Sequence, residues 1–364
     1  MTWFDVDRQG LSAILERRGK AFAIYELIQN AWDSGSDRVD VRIDPIPGQP
    51  YATIEVEDWG DGFADLRHAY TMFARSTRAG DATKRGRFNF GEKLVLAICR
   101  TATIVTTTGS LIFGETRRRG SEAREAGTLF RAEIRMTRDE LAEVREAMHR
   151  LIPPVRTNFN GTEIDRLDPL VMVEAKLPTE IADAEGQLRR TVRTAIVEVH
   201  EAVDSGDLLE LGIPVVETDN GYRVNVQQKV PLNFDRDNVT PAYLRTINAL
   251  LLNHVHDRLT PETAAAPWAQ EAVGDSRAKP EAIKTVLAKR FGDRAVIATP
   301  GDPVANATAE ATGHTVIPGG ALSGDAWANV KKHGLLLPAS KVFPSPSPEA
   351  VASANAEKCP LCGK

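Results

Sequence analysis

Glu26, Asn30 and Asp33 recur at i, i+4 and i+7 in KAFAIYELIQNAWDS, a spacing that places all three on one face of a helix. A magnesium-bound phosphate chain calls for hard oxygen ligands. An asparagine carbonyl supplies one without adding charge, and a nearby glutamate can orient or deprotonate water for attack on a terminal phosphate. A solvated polar helix face has the same spacing. In Glu57-Asp58-Trp59-Gly60-Asp61-Gly62-Phe63 a carboxylate at a strand end precedes two glycines. Asp58 there can accept the exocyclic amine of adenine, while Gly60 and Gly62 let the backbone approach the base closely. A tight turn or a calcium-type loop is the plainer reading. Residues 75–96 add Ser76, Thr77 and Lys93 as donors, with Gly86 and Gly91 bracketing a basic segment. Gly91 opens a helix whose N-terminal amides and dipole favour phosphate, although a surface connection between helices looks alike.

These residues need a scaffold to bring them together. Apolar periodicity predicts a helix over 20–34, with Gly35 as its stop, and β-branched runs predict strands at 39–43 and 51–58. Residues 64–74 and 91–100 read as helices flanking the basic segment. Strands follow at 101–108, 111–116 and 128–136, then a helix from a Thr137/Glu140 capping box to about 151, and a strand at 162–167. This order fits an α+β two-layer sandwich over residues 1–170. Residues 171–260 read as a second α/β domain, with an amphipathic helix at 186–205 bearing Leu188, Val192, Ile196, Val199 and Val203 on one face, a strand at 221–232, and a helix capped by Thr240 with Pro241 first. An alanine- and proline-containing linker at 261–280, a small α/β module at 281–345 and a mobile tail at 346–364 complete the expected organisation.

Composition narrows the classes. At 42% apolar and 26% charged residues the 364-residue chain is an ordinary globular protein, and a net charge of −5 gives no global pull toward nucleic acid. Any such contact has to rest on Arg117-Arg118-Arg119 or on Lys84-Arg85 with Arg87. Three cysteines make no disulfide framework, and the start MTWFDVDRQG lacks the features of a secretion signal, which together point to the cytoplasm. No apolar run approaches a membrane span, so no membrane role is expected. Cys359-Pro-Leu-Cys362 is half of a tetrahedral zinc site that a second chain's pair would have to complete; otherwise it is an inert tail.

Taken in order, ELIQNAWDSG, EDWGDGF, GRFNFGEKLVLAI and NGTEI resemble the N-box, the two glycine boxes and the terminal Gly-Thr strand of the GHKL superfamily of gyrase B subunits, heat-shock chaperones, histidine kinases and MutL. The resemblance spans residues 20–167 and implies a Bergerat-type ATP-binding fold. It implies Glu26 as general base, Asn30 as Mg2+ ligand, Asp33 as support, Asp58 as adenine acceptor, Gly62 beside the base, and Thr162 near Asp58 and its water. Gly91 would meet the phosphates and Lys93 would neutralise them, although GEK departs from the commoner G-x-G ending. An N-box this early, followed by an α/β domain, looks more like gyrase, MutL and the chaperones than a sensor kinase. The period of two in RVNVQQKV places Arg223, Asn225, Gln227 and Lys229 on one strand face, and Gln227 with Lys229 resembles the pair that the gyrase transducer sends to the terminal phosphate. The family reading is thus an ATP hydrolase that couples a nucleotide-driven conformational change, through ATP-dependent homodimerisation, to a macromolecular partner, protein or DNA. A protein serine kinase of the anti-sigma type and a nucleotide-gated scaffold without turnover are the alternatives.

Overall fold

A computed structural model describes residues 8–16, 18–71, 81–84, 91–183, 187–202, 205–232 and 239–345. Ser76, Thr77, Gly86, Cys359 and Cys362 lie outside these residues, as does the side chain of Lys93. The chain divides into two units, Met1–Thr240 and Pro241–Lys364. The end expected at residue 170 therefore falls inside the first unit, between its two sheets.

The first sheet has eight strands: β1 (Arg38–Pro45), β2 (Tyr51–Asp58), β3 (Cys99–Thr106), β4 (Gly109–Phe113), β5 (Arg117–Gly120), β6 (Thr128–Arg135), β7 (Arg156–Phe159) and β8 (Thr162–Glu163). Their order is β5-β4-β3-β6-β2-β1-β7-β8, antiparallel except where β1 and β7 run parallel. Helices α1 (Arg8–Glu16), α2 (Lys20–Trp32), α3 (Gly91–Ile98) and α4 (Arg138–His149) accompany the sheet, and α2 packs against α3, α4, β1 and β2. Strand β2 shows why the layers form. Its residues alternate in burial, so Ala52, Ile54, Val56 and Asp58 all face inward. Ile24 and Ile28 of α2 are fully buried in the same core, each contributing about 1.5–3 kcal/mol by area. Two long-range bonds fix the helix, one to the sheet and one to α4: Trp32 Nε1 donates to Thr157 Oγ1 of β7 at 2.9 Å, and the Tyr25 hydroxyl donates to the Ala147 carbonyl of α4 at 2.7 Å. The capping box opening α4 is present, with Thr137 and Glu140 bonding reciprocally. Of the helix expected at 64–74, the described part holds only a 3-10 turn, Leu66–Ala69, capped by Asp65.

The second sheet has the order β12-β11-β13-β10-β9, with β9 (Val171–Ala182), β10 (Leu188–Glu201), β11 (Gly206–Glu210), β12 (Ile213–Thr218) and β13 (Tyr222–Val226). The helix expected at 186–205 is strand β10, paired with β9 from Leu188 to Val199. Thr191, Val192, Thr194, Ile196, Val197 and Val199 are β-branched and suit a pleated surface. The residues that mimicked a helical stripe divide between two faces: Val199 is buried, whereas Val192 and Ile196 are exposed.

In the second unit, α5 (Pro241–Val255) is followed by α6 (Pro261–Ala264), α7 (Pro267–Gly274) and α8 (Pro280–Phe291), so the stretch expected as a linker is helical. Its prolines mark helix starts: Pro261, Pro267 and Pro280 each sit in the first turn, where no amide donor is needed. Beyond them β14 (Ala295–Ile297), α9 (Pro303–Ala311) and β15 (Thr315–Ile317) form a parallel β-α-β unit, followed by α10 (Gly324–Lys332) and α11 (Ala339–Val342).

Candidate functional site

Because Asp58 ends the inward-facing row of β2, its carboxylate points into the core side of the sheet, where it is 5% exposed. Oδ1 accepts from Ser34 Oγ and from the Gly60 amide, both at 2.9 Å, and the backbone amide of Thr128 donates as well. Burial raises the Asp58 pKa above the ordinary carboxylate value, while the Gly60, Ser34 and Thr128 donors pull the other way. Ser34 lies just beyond the C-terminus of α2, so this single side chain ties the helix to the end of β2.

Each glycine here has a spatial reason. A Cβ on Gly60 would stand 2.3 Å from the Ser34 carbonyl oxygen, and one on Gly127 would stand 1.9 Å from the Asp58 carbonyl oxygen. Gly62 adopts φ 72°, and the Phe63 amide after it donates to Thr106 Oγ1 at 2.8 Å. The turn after β2 is locked from both sides: the Asp61 amide donates to the Ser34 carbonyl, and the Gly127 amide to the Gly60 carbonyl at 2.7 Å. The result is a buried carboxylate at the mouth of a backbone-lined turn, suited to a ligand that offers a hydrogen-bond donor.

The rest of the expected set divides. Glu26 is buried on α2 and lines a cavity of about 380 Å3 together with Gln29 and with Glu210 of the second sheet. Asn30, one turn further on, is partly exposed; Asp33 is buried at the C-cap. Gly91 begins α3 as expected. Thr162 does not meet Asp58. It is exposed on β8, at the far edge of the sheet, separated from β2 by β1 and β7. The threonine that reaches Asp58 is Thr128, because β6 pairs directly with β2. Its signal was present in the sequence as Gly127-Thr128-Leu129-Phe130, a second Gly-Thr pair opening an alternating strand. Ser34 and Glu210 were not expected either; Ser34 is legible only as the residue after Asp33, and Glu210 carries no local signature.

Lys229 also departs from expectation. Strand β13 ends at Val226 and the chain bends at Gln227 and Gln228, so strand parity does not extend to 229. Lys229 is fully buried; its amide donates to the Ala82 carbonyl at 2.8 Å, and its carbonyl accepts from Thr179 Oγ1 at 2.7 Å. Gln227 instead gives its amide to Glu198. The loop after β13 is thereby bonded to residues 81–84, between β2 and α3.

Among the described residues no three histidine, cysteine or acidic side chains cluster as a metal site. One asparagine oxygen with phosphate oxygens and water is the donor set that a hard divalent cation accepts, so Asn30 fits a nucleotide-borne Mg2+. Cys99 is buried and donates to the Val95 carbonyl. No helix among the described residues is long and apolar enough to cross a membrane.

The ATPase region of Saccharomyces cerevisiae topoisomerase II is similar to the chain at TM-score 0.39 and 11% identity, over 59% of this chain and 75% of that one. The same region bound to ICRF-187 (dexrazoxane) gives 0.38 and 10%, over 60% and 76%. No curated protein sequence matches. The family profile described as histidine kinase-, DNA gyrase B- and HSP90-like ATPase matches residues 19–134, a span that contains α2, Asp58, both glycines of the turn and Gly127-Thr128. Over these residues the chain is similar to the GHKL ATPases that the profile describes.

Proposed function

We propose that the first unit binds ATP with Mg2+ and hydrolyses it. The observation that carries this reading is the Asp58 cluster, a buried carboxylate held by Ser34, Gly60 and Thr128 beside a turn whose glycine positions leave no room for a Cβ. In it Asp58 accepts the adenine amine, with Gly60 and Gly62 beside the base, and Asp33 supports the end of α2. Asn30 holds Mg2+, which neutralises charge on the phosphates when bound. Gly91 presents the N-terminus of α3 to the phosphates, with Ser76, Thr77, Gly86 and Lys93 as further contacts. Glu26 orients and deprotonates the attacking water, and its burial in an α2 cavity keeps bulk solvent from competing. The Lys229 amide on Ala82 supports a closing step in which the second sheet reports on residues 81–84. ATP-dependent pairing of two copies and action on a protein or DNA partner are the output this cycle would serve.

Glu26→Gln tests the proposal with one label. With γ-labelled ATP, release of free phosphate should fall about 100-fold or more while ATP affinity stays within a few-fold of the parent. Unchanged release would remove Glu26 as base. Label appearing on a serine of another protein, with no free phosphate, would replace hydrolysis by kinase chemistry.

A further inference from the structure

Away from the Asp58 turn, a cavity of about 840 Å3 lies where residues 152–154 and 166–169 meet one face of the second sheet. Four side chains of its floor come from neighbouring positions on that face. Glu198 and His200 stand on β10, Asn225 pairs with Glu198 across the ladder on β13, and Gln227 follows it. His200 is 2% exposed and Asn225 is 1% exposed. Neither ring nitrogen of His200 has a hydrogen-bond partner, since the nearest approach, Nε2 to Glu198 Oε2, is 3.7 Å. Buried polar groups are rarely left unmet, so an unmet pair of nitrogens opening on a cavity this size marks a ligand position.

Hydrogen-bond accounting gives the polarity of that ligand. The Asn225 amide donates to Glu198 Oε2 at 2.7 Å and the Gln227 amide donates to the same oxygen at 2.8 Å. Asn225 Oδ1 is taken by the Gly212 amide at 2.8 Å. Each of these amides spends one N–H there, and the acceptors the floor keeps open are Glu198 Oε1, which shares the carboxylate charge, and Gln227 Oε1. His200 beside it, then Gln227 and Asn225, hold the Glu198 carboxyl below its usual range against the burial that would raise it, so it is ionised near neutrality. Ile152, Pro153, Ile196 and Leu211 give the walls an aliphatic part, and Arg166 and Asp168 also line them, the Arg166 guanidinium being bonded to the Pro153 and Pro154 carbonyls. We infer that this cavity binds an alkyl chain ending in an ammonium or guanidinium group, with the cation on Glu198 beside His200 and the chain along the aliphatic part of the walls. Thr83 lines the same cavity, so an occupant touches the segment bonded to Lys229.

The cation could arrive as a free amine or as an arginine side chain of a peptide. Agmatine and the peptide acetyl-Gly-Arg-Gly-amide, titrated into the full chain by calorimetry, separate the two sources, with n-butanol as an uncharged control. Histidine ring resonances should be followed in parallel and assigned to His200 with His200→Gln. Both cations should bind at one site and move the His200 resonances, n-butanol should not, and Glu198→Gln, which retains an acceptor oxygen for Asn225 and Gln227, should weaken binding at least tenfold without lowering Tm. Tighter binding of agmatine assigns a free amine, and tighter binding of the peptide assigns a protein source. Unmoved His200 resonances at millimolar ligand, or equal affinity in Glu198→Gln, would overturn the inference.

Discussion

Two buried polar clusters, one at the end of each sheet's core, are built on opposite plans. At the first sheet, Asp58 is met by a serine, a turn amide and a strand amide, all within short reach of α2, β2 and β6. At the second, Arg150 and Asp207 pair, and Arg223 donates to the Arg150 and Leu151 carbonyls, yet Arg223 Nε and both His200 nitrogens have no hydrogen-bond partner. The first cluster is made of backbone geometry and is complete before any ligand arrives. The second is made of side chains that meet across the chain, and it leaves nitrogens unmet beside a cavity.

If that contrast is real, the first cluster should be intolerant of added atoms. Gly127→Ala would put a Cβ 1.9 Å from the Asp58 carbonyl at φ 69°, a contact that only backbone movement can relieve. It should cost about 3 kcal/mol in urea unfolding and abolish ATP binding by calorimetry. A loss below about 1 kcal/mol would show that the turn yields and that the first cluster is not rigid.

Asp58→Asn alters charge rather than shape. ATP affinity should fall by about 1.5–3 kcal/mol, roughly 10- to 150-fold, as expected when a charged acceptor is lost. Its pH dependence has a definite sign. The native Asp58 pKa lies above the ordinary 3.8, so the folded state binds this proton more tightly than the unfolded state does. The stability it contributes is full below 3.8 and declines as pH rises through the native pKa. Measured from pH 3 upward, the stability of the parent relative to Asp58→Asn should therefore decline through that window and then level off. A difference that grows with pH would mean that the donors, not burial, dominate.

The same contrast explains what could be read from the chain. The placement of Glu26 and Asn30 on one helix, and of Asp58 at a strand end before the glycine turn, was legible because local spacing sets it. Thr162 was mistaken for Thr128 because both follow a glycine, and only the pairing of β6 with β2 distinguishes them. Strand β10 was misread because apolar residues at spacings near four also fall on a strand, and the pairing with β9 that decides the matter is not local. The strand parity assigned to Lys229 does not hold for a smaller reason: parity applies within a strand, and β13 stops three residues short. The proline-rich stretch at 261–280 was read as a break, although proline at a helix start is favourable.

His200 offers the finest test, because the contrast requires its imidazole to add little to folding. His200→Leu keeps comparable volume and removes both unmet nitrogens, which relieves a desolvation cost of about 1–3 kcal/mol, while it forfeits the 3.7 Å contact with Glu198. The two effects oppose, so the unfolding free energy should stay within about 1 kcal/mol of the parent. A loss above about 3 kcal/mol would mean that the imidazole is needed by the fold. The second cluster would then be as complete as the first. A near-neutral outcome leaves a buried histidine that the sheet does not need, and a polar side chain kept in the core without a structural return is best accounted for by what enters the cavity beside it.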